Sequence, residues 1–177
     1  MQAKLNPQYV SGTAQGKLNF PGFQEILNFT SVGSESSISV TVDGDVDKEY
    51  KVIVRNLITD QHIYMRMNAD AGATSYGYQR IYNDGGNISA ARGTLSGFYV
   101  NPIKGLNEYS IFTPTGFLKT GFMTAARYDS GTALNVSYIA GSVYNSTSNI
   151  TSLGFYPASG NFVTGTSIIV YARRSNL

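Results

Sequence analysis

The sequence has no cysteine, no tryptophan, one histidine and few charges. Without cysteine there is neither a disulfide framework nor a thiolate metal site, and folding in a reducing cytoplasm is expected. One histidine and no cysteine exclude zinc sites of ordinary composition. A catalytic triad would have to rest on His62, and no Gly-x-Ser-x-Gly elbow supplies a nucleophile; His62 reads instead as a strand-edge residue. Charged residues make up 14% of the chain, where a typical domain carries about 25%. The net charge is +2 and only Arg173-Arg174 places two positive charges side by side. Phosphate-backbone binding needs clustered Lys and Arg, so nucleic acid is not an expected partner. No window approaches the roughly 18 apolar residues of a membrane span, and residues 1–10 lack the apolar core of an export signal. A membrane is therefore not expected as a partner either.

Helical periodicity is missing as well, since no segment of ten or more residues keeps an uninterrupted apolar stripe. What the chain does have is alternation. Ile38, Val40 and Val42 alternate with Ser and Thr, Asp43-Gly44 supplies a turn, and Tyr50, Val52 and Val54 resume the period of two, which predicts a hairpin. Ile63, Met65 and Met67 line one face of a strand, Asn68-Ala-Asp70 forms a turn, and Tyr76, Tyr78, Arg80 and Tyr82 share one face of a following strand expected to pair back on the first. Strands are also expected at 26–29, 95–100, 108–113, 118–128, 134–144, 150–156 and 167–173. About ten or eleven short strands separated by Gly-rich turns predict an all-β antiparallel sandwich, jelly-roll-like. Residues 1–22, with Pro7, Gly12, Gly16, Pro21 and Gly22, read as an extended N-terminal arm, and residues 23–177 as the sandwich domain.

The chemistry-bearing constellations are weak. Asp43-Gly-Asp-Val-Asp-Lys-Glu49 spaces carboxylates like the start of a calcium loop, but Lys48 and Val54 stand where an EF-hand needs Gly and a bidentate Glu. It reads as a solvated hairpin tip. Asp70 and Asp84 could be paired for glycoside hydrolysis, yet neither sits in an aromatic, Trp-lined context. No catalytic residue, metal or cofactor is expected. The 13 tyrosines say more, because tyrosine gives contact area at low entropic cost. Tyr64, Tyr76, Tyr78, Tyr82 and Tyr99 are the candidates for an interaction surface, with another subunit or with a glycan.

Three stretches carry a family resemblance. Tyr64-Met-Arg-Met-Asn-Ala-Asp70, before a Gly/Ser/Tyr loop, resembles the Leu-Arg-Phe-Asn-Gly-Asp segment of a group of tailed-bacteriophage virion β-sandwich proteins. The run 150–156 with 160–173 is similar to that group's closing strands, and Tyr50-Lys-Val-Ile-Val-Arg-Asn-Leu57 to its early strand. Ala69 and Ala172 stand where that group has Gly, and Thr166 where it has Ser. The group occurs as capsid decoration proteins and as domains of tail fibres and adaptors. The resemblance implies a virion structural protein assembled in the host cytoplasm, acting as a homo-oligomer, expected to be a trimer, beside a major capsid or tail protein. A tail-associated adhesin for host surface glycans is the alternative.

Overall fold

In a computed structural model, residues 22–56, 62–84, 87–100, 105–128 and 134–174 are described; the arm expected at 1–22 lies, but for Gly22, outside them. Twelve strands run in the order β1 (Gln24–Thr30), β2 (Ile38–Thr41), β3 (Asp47–Asn56), β4 (Ile63–Met67), β5 (Tyr76–Asp84), β6 (Asn87–Leu95), β7 (Phe98–Val100), β8 (Gly105–Phe112), β9 (Lys119–Tyr128), β10 (Leu134–Tyr144), β11 (Ser152–Pro157) and β12 (Ser167–Arg174). They form an eight-stranded sheet ordered β1-β12-β3-β8-β9-β10-β5-β6 and a four-stranded sheet ordered β2-β11-β4-β7. All pairings are antiparallel.

Setting aside β5-β6 and β9-β10 leaves four strands on each side, β1-β12-β3-β8 facing β2-β11-β4-β7. That interleaving, in which the chain crosses from one sheet to the other at nearly every step, is a jelly roll. The two remaining pairs are hairpins inserted between β4 and β7 and between β8 and β11. They pair with each other through β5 and β10, and they lengthen one sheet while the other stays four strands wide.

The core lies between the sheets. Met65 and Met67 are fully buried with Ile63, and the hydrogen-bonded row Leu27, Val170, Val52, Tyr109, Met123, Ala140 continues the apolar layer across the large sheet. Gly121 lets the Phe98 ring lie against its backbone, since a Cβ there would stand 2.6 Å from Phe98 Cε2. The next member of the core row, opposite Ala140, is Arg80.

Both predicted hairpins are corrected. Strands β2 and β3 sit in opposite sheets, and so do β4 and β5. Alternation reports which face of a strand is apolar and says nothing of its partner. The acidic segment is not a solvated tip throughout: Asp47 and Glu49 are buried, with Arg174 3.4 Å from Asp47 and Arg173 2.7 Å from Glu49. Among the described residues no group of three or more His, Cys, Asp or Glu could hold a metal. Strand β6 went unpredicted, and the expected strand 95–100 breaks at Ser96-Gly97, where the chain leaves the large sheet for the small one.

Asn68 and Ala69 form the tight turn expected of them, with φ of 54° and 56° and the Asp70 N–H donating to the Met67 carbonyl at 3.0 Å. The Asn68 carboxamide oxygen accepts from Thr151 N at 2.7 Å, which ties the turn to the approach of β11. An alanine in the left-handed region is strained by about 1–2 kcal/mol, and glycine returns part of that to unfolded-state entropy. Ala69→Gly is therefore expected to stabilise the fold by about 0.5–1 kcal/mol, read as a higher urea midpoint at unchanged slope.

Candidate functional site

Because one sheet is wider, β5 and β6 run on past β7, the edge strand of the small sheet that lies over β10. The overhang makes a ledge. Its floor is the inward face of β5 and β10, and its wall is β7 with the residue that enters β4, His62.

Arg80 is the centre of this ledge. Its guanidinium carbon lies 5.6 Å from the Tyr78 ring, 5.1 Å from Tyr82, 5.3 Å from Tyr99 and 5.8 Å from Tyr138. Tyr78 and Tyr82 reach it from two positions either side on the same strand, Tyr138 stands across from Tyr82 in β10 and stacks on it at 5.4 Å, and Tyr99 comes from the opposite sheet. Guanidinium over aromatic faces is a favourable arrangement worth about 0.5–2 kcal/mol per ring contact. The Arg80 Nε nonetheless is buried without a hydrogen-bond acceptor, and so is the Nδ1 of His62 without a partner. The His62 ring packs 4.4 Å from Tyr99 and 6.3 Å from Tyr64.

Electrostatics follow from this packing. Burial pushes the Tyr99 hydroxyl up to about 12, against the opposing hydrogen bond and charge of Arg80. Burial, and then the Arg80 charge, hold His62 below its ordinary value of 6.5. The unfolded chain thus binds a proton on His62 at a higher pH than the folded chain does, and stability falls as pH drops from about 6.5 to the lower folded value. His62→Gln should flatten the dependence of the thermal midpoint on pH in that window. Asp43 and Asp70, held low mainly by hydrogen bonds, act only below about pH 4, so the two regimes separate.

Of the five tyrosines named from the sequence, Tyr78, Tyr82 and Tyr99 meet at Arg80. Tyr64 faces outward on β4, where Arg66 lies 4.7 Å from the Tyr156 ring and 5.8 Å from Tyr64, and it meets the ledge through His62 and through its cross-strand partner Tyr99. Tyr76 belongs to the core, 1% exposed, because its end of β5 is still covered by the small sheet through Phe98. Arg80, His62 and Tyr138 were not singled out as site residues. A charge at the centre of Tyr78-Gln-Arg-Ile-Tyr82 was the available signal. Asp70 lies in the turn that follows β4, before β5 begins, and Asp84 ends β5, whose nine residues span about 25–30 Å between them, which removes them as a catalytic pair.

The outward face of the extension is different in kind. Ile139 pairs with Ile81, both just over half exposed, Ile88 is 80% exposed on β6, and Phe122 is 50% exposed on β9. Beside them is a shallow depression of about 790 Å³ lined by Gly77, Gln79, Arg92, Thr94, Gly141 and Val143. A Cβ on Gly141 would meet nothing within 4 Å, so the bare backbone forms part of its floor. Arg92 is the only charge among the described side chains on this face of β9, β10, β5 and β6. Set against known protein families, curated proteins and solved structures, the chain finds no match in any of the three.

Proposed function

We propose that this chain is a bacteriophage virion structural protein, a capsid decoration or head-surface subunit that works through subunit–subunit contacts as a homo-oligomer, a trimer by expectation, next to a major capsid or tail protein. The observation that carries the reading is the outward face of the extension. Contiguous apolar patches larger than about 300–600 Å² are rare on monomeric proteins and mark interaction surfaces, and here Ile81, Ile88, Phe122 and Ile139 lie on neighbouring strands with one charge among them. The jelly roll supports it by analogy alone, since that architecture recurs in viral capsid and lectin domains. The sequence resemblance points the same way.

The test is assembly. Ile81→Lys with Ile139→Lys places two charges on solvent-facing positions, so the fold should survive while the oligomer in analytical ultracentrifugation becomes monomeric and the protein disappears from purified particles. A wild-type chain that is monomeric and absent from particles, or a doubly charged variant that is incorporated normally, would refute the proposal. The number of copies per particle separates a head protein, at hundreds, from a tail-associated adaptor or adhesin.

A further inference from the structure

Three features of the molecule call for a role beyond assembly: the glycine-floored depression, the buried Lys119 and the ledge around Arg80. The depression belongs to the apolar face already described. Lys119 has every donor satisfied by a carbonyl and faces no open space. The ledge alone holds unsatisfied groups at an accessible edge.

We propose that the ledge is a binding site for an acidic saccharide, with Arg80 receiving a sugar carboxylate and the tyrosines of β5 and β7 flanking the sugar ring. This does not depend on where in a virion the chain sits. Three observations carry it. First, Arg80 occupies a position in the core row of the large sheet, yet no carboxylate among the described residues pairs with it. A guanidinium held between aromatic faces, with one hydrogen bond to the Tyr99 hydroxyl, keeps the remaining donors of its planar fork for a carboxylate. Second, its Nε and the His62 Nδ1, both buried and without a partner, sit around the same Tyr99 ring. A buried polar atom without a partner is costly, and a ligand bearing both a carboxylate and hydroxyls supplies partners of the two kinds needed. Third, the remaining surroundings are rings and phenolic hydroxyls, the combination that takes the apolar face and polar rim of a pyranose. Both unsatisfied atoms are covered in the free chain. Entry therefore requires a ring to turn aside, and half-buried Tyr78 is the candidate, since Tyr82 is stacked on Tyr138 and packed against the core.

The Arg80 Nε–Hε resonance, assigned by its loss in Arg80→Lys, reports the contact directly during NMR titration of the full chain. Sialyllactose and a glucuronate-containing oligosaccharide should each shift it saturably, whereas lactose should not. Arg80→Gln should weaken binding of the acidic sugars by about tenfold or more, while Arg92→Gln, on the opposite face, should leave it unchanged. Should Arg80→Gln fail to fold, the acidic-against-neutral comparison on the wild-type chain decides alone. No shift with any sugar at millimolar concentration, which is the result if a trapped water satisfies both atoms, would overturn the proposal. Equal response to lactose would do the same. So would equal binding of tetraglutamate, which assigns the site to acidic peptides, or of a sulfated but carboxylate-free sugar, which makes it a general anion site.

Discussion

Lys119→Met should destabilise the protein by about 3–5 kcal/mol. Lys119 opens β9, faces the core and has no exposed surface. Its Nζ donates to the carbonyl oxygens of Pro114 and Phe117, each at 2.9 Å, and of Thr147 at 3.3 Å. Those acceptors come from two separate loops, 113–118 and 145–149, so one ammonium holds both against the end of the sandwich. Burial pulls its pKa below the ordinary 10.5, with a weak opposing pull from Asp45. Methionine keeps the length of the stem and removes all three donors, and a hydrogen bond from a charged group contributes about 1.5–3 kcal/mol, although the Pro114 and Thr147 carbonyls keep the N–H groups of Phe117 and Gly116 as donors. Arginine retains the charge, but its planar fork cannot point at three converging oxygens, so Lys119→Arg should recover only part of the loss. Urea unfolding measures both; a loss under about 1 kcal/mol for the methionine variant would mean that water replaces the ammonium there.

Tyr76→Ala should cost a similar amount, about 3–5 kcal/mol, and should do so in the absence of any ligand or partner. The ring stacks on Tyr144 at 4.7 Å and meets Phe98 edge-on at 5.6 Å, joining the inserted hairpins to the jelly roll. Its hydroxyl accepts from the Met67 N–H at 2.8 Å and donates to the Met67 carbonyl at 3.3 Å, closing the last backbone groups of β4. Tyr76→Phe keeps the packing and strands the Met67 N–H, while the Met67 carbonyl keeps the Asp70 N–H as its donor, a loss of about 1–3 kcal/mol. Tyr78→Ala, on the ledge, should by contrast lower the thermal midpoint by only a few degrees. If Tyr76→Ala and Tyr78→Ala prove equally mild, Tyr76 is not the joint described.

What could be read in advance divides along a physical line. The faces of single strands were legible: Ile63, Met65 and Met67 are all buried, and Tyr76, Tyr78, Arg80 and Tyr82 do share one side of β5. Pairing was not, because a period of two is the same whether a strand turns back on its neighbour or crosses to the opposite sheet. Strand β6 was invisible for another reason. Asn87-Ile-Ser-Ala-Ala-Arg-Gly-Thr-Leu95 has little intrinsic strand preference and is held extended by its ladder to β5. The ledge depends on the sheets having unequal widths, which no local signal records; that inequality decides that Tyr76 is core while Tyr78 and Tyr82, on the same face, are only half-buried. Lys119 gave no sign either, since a lysine beside Leu118 and Thr120 looks like any surface cation.

The two inserted hairpins also set an order of events in time. Each closes locally, β5 on β6 and β9 on β10, and such closures take microseconds. Their union through β5 and β10 joins segments far apart in the chain and pays a loop-closure cost that rewards them only once the intervening strands are placed. The jelly roll should therefore form first and the overhang dock last, so amide exchange should show β5 and β6 opening before β3, β8 and β12 in the folded protein.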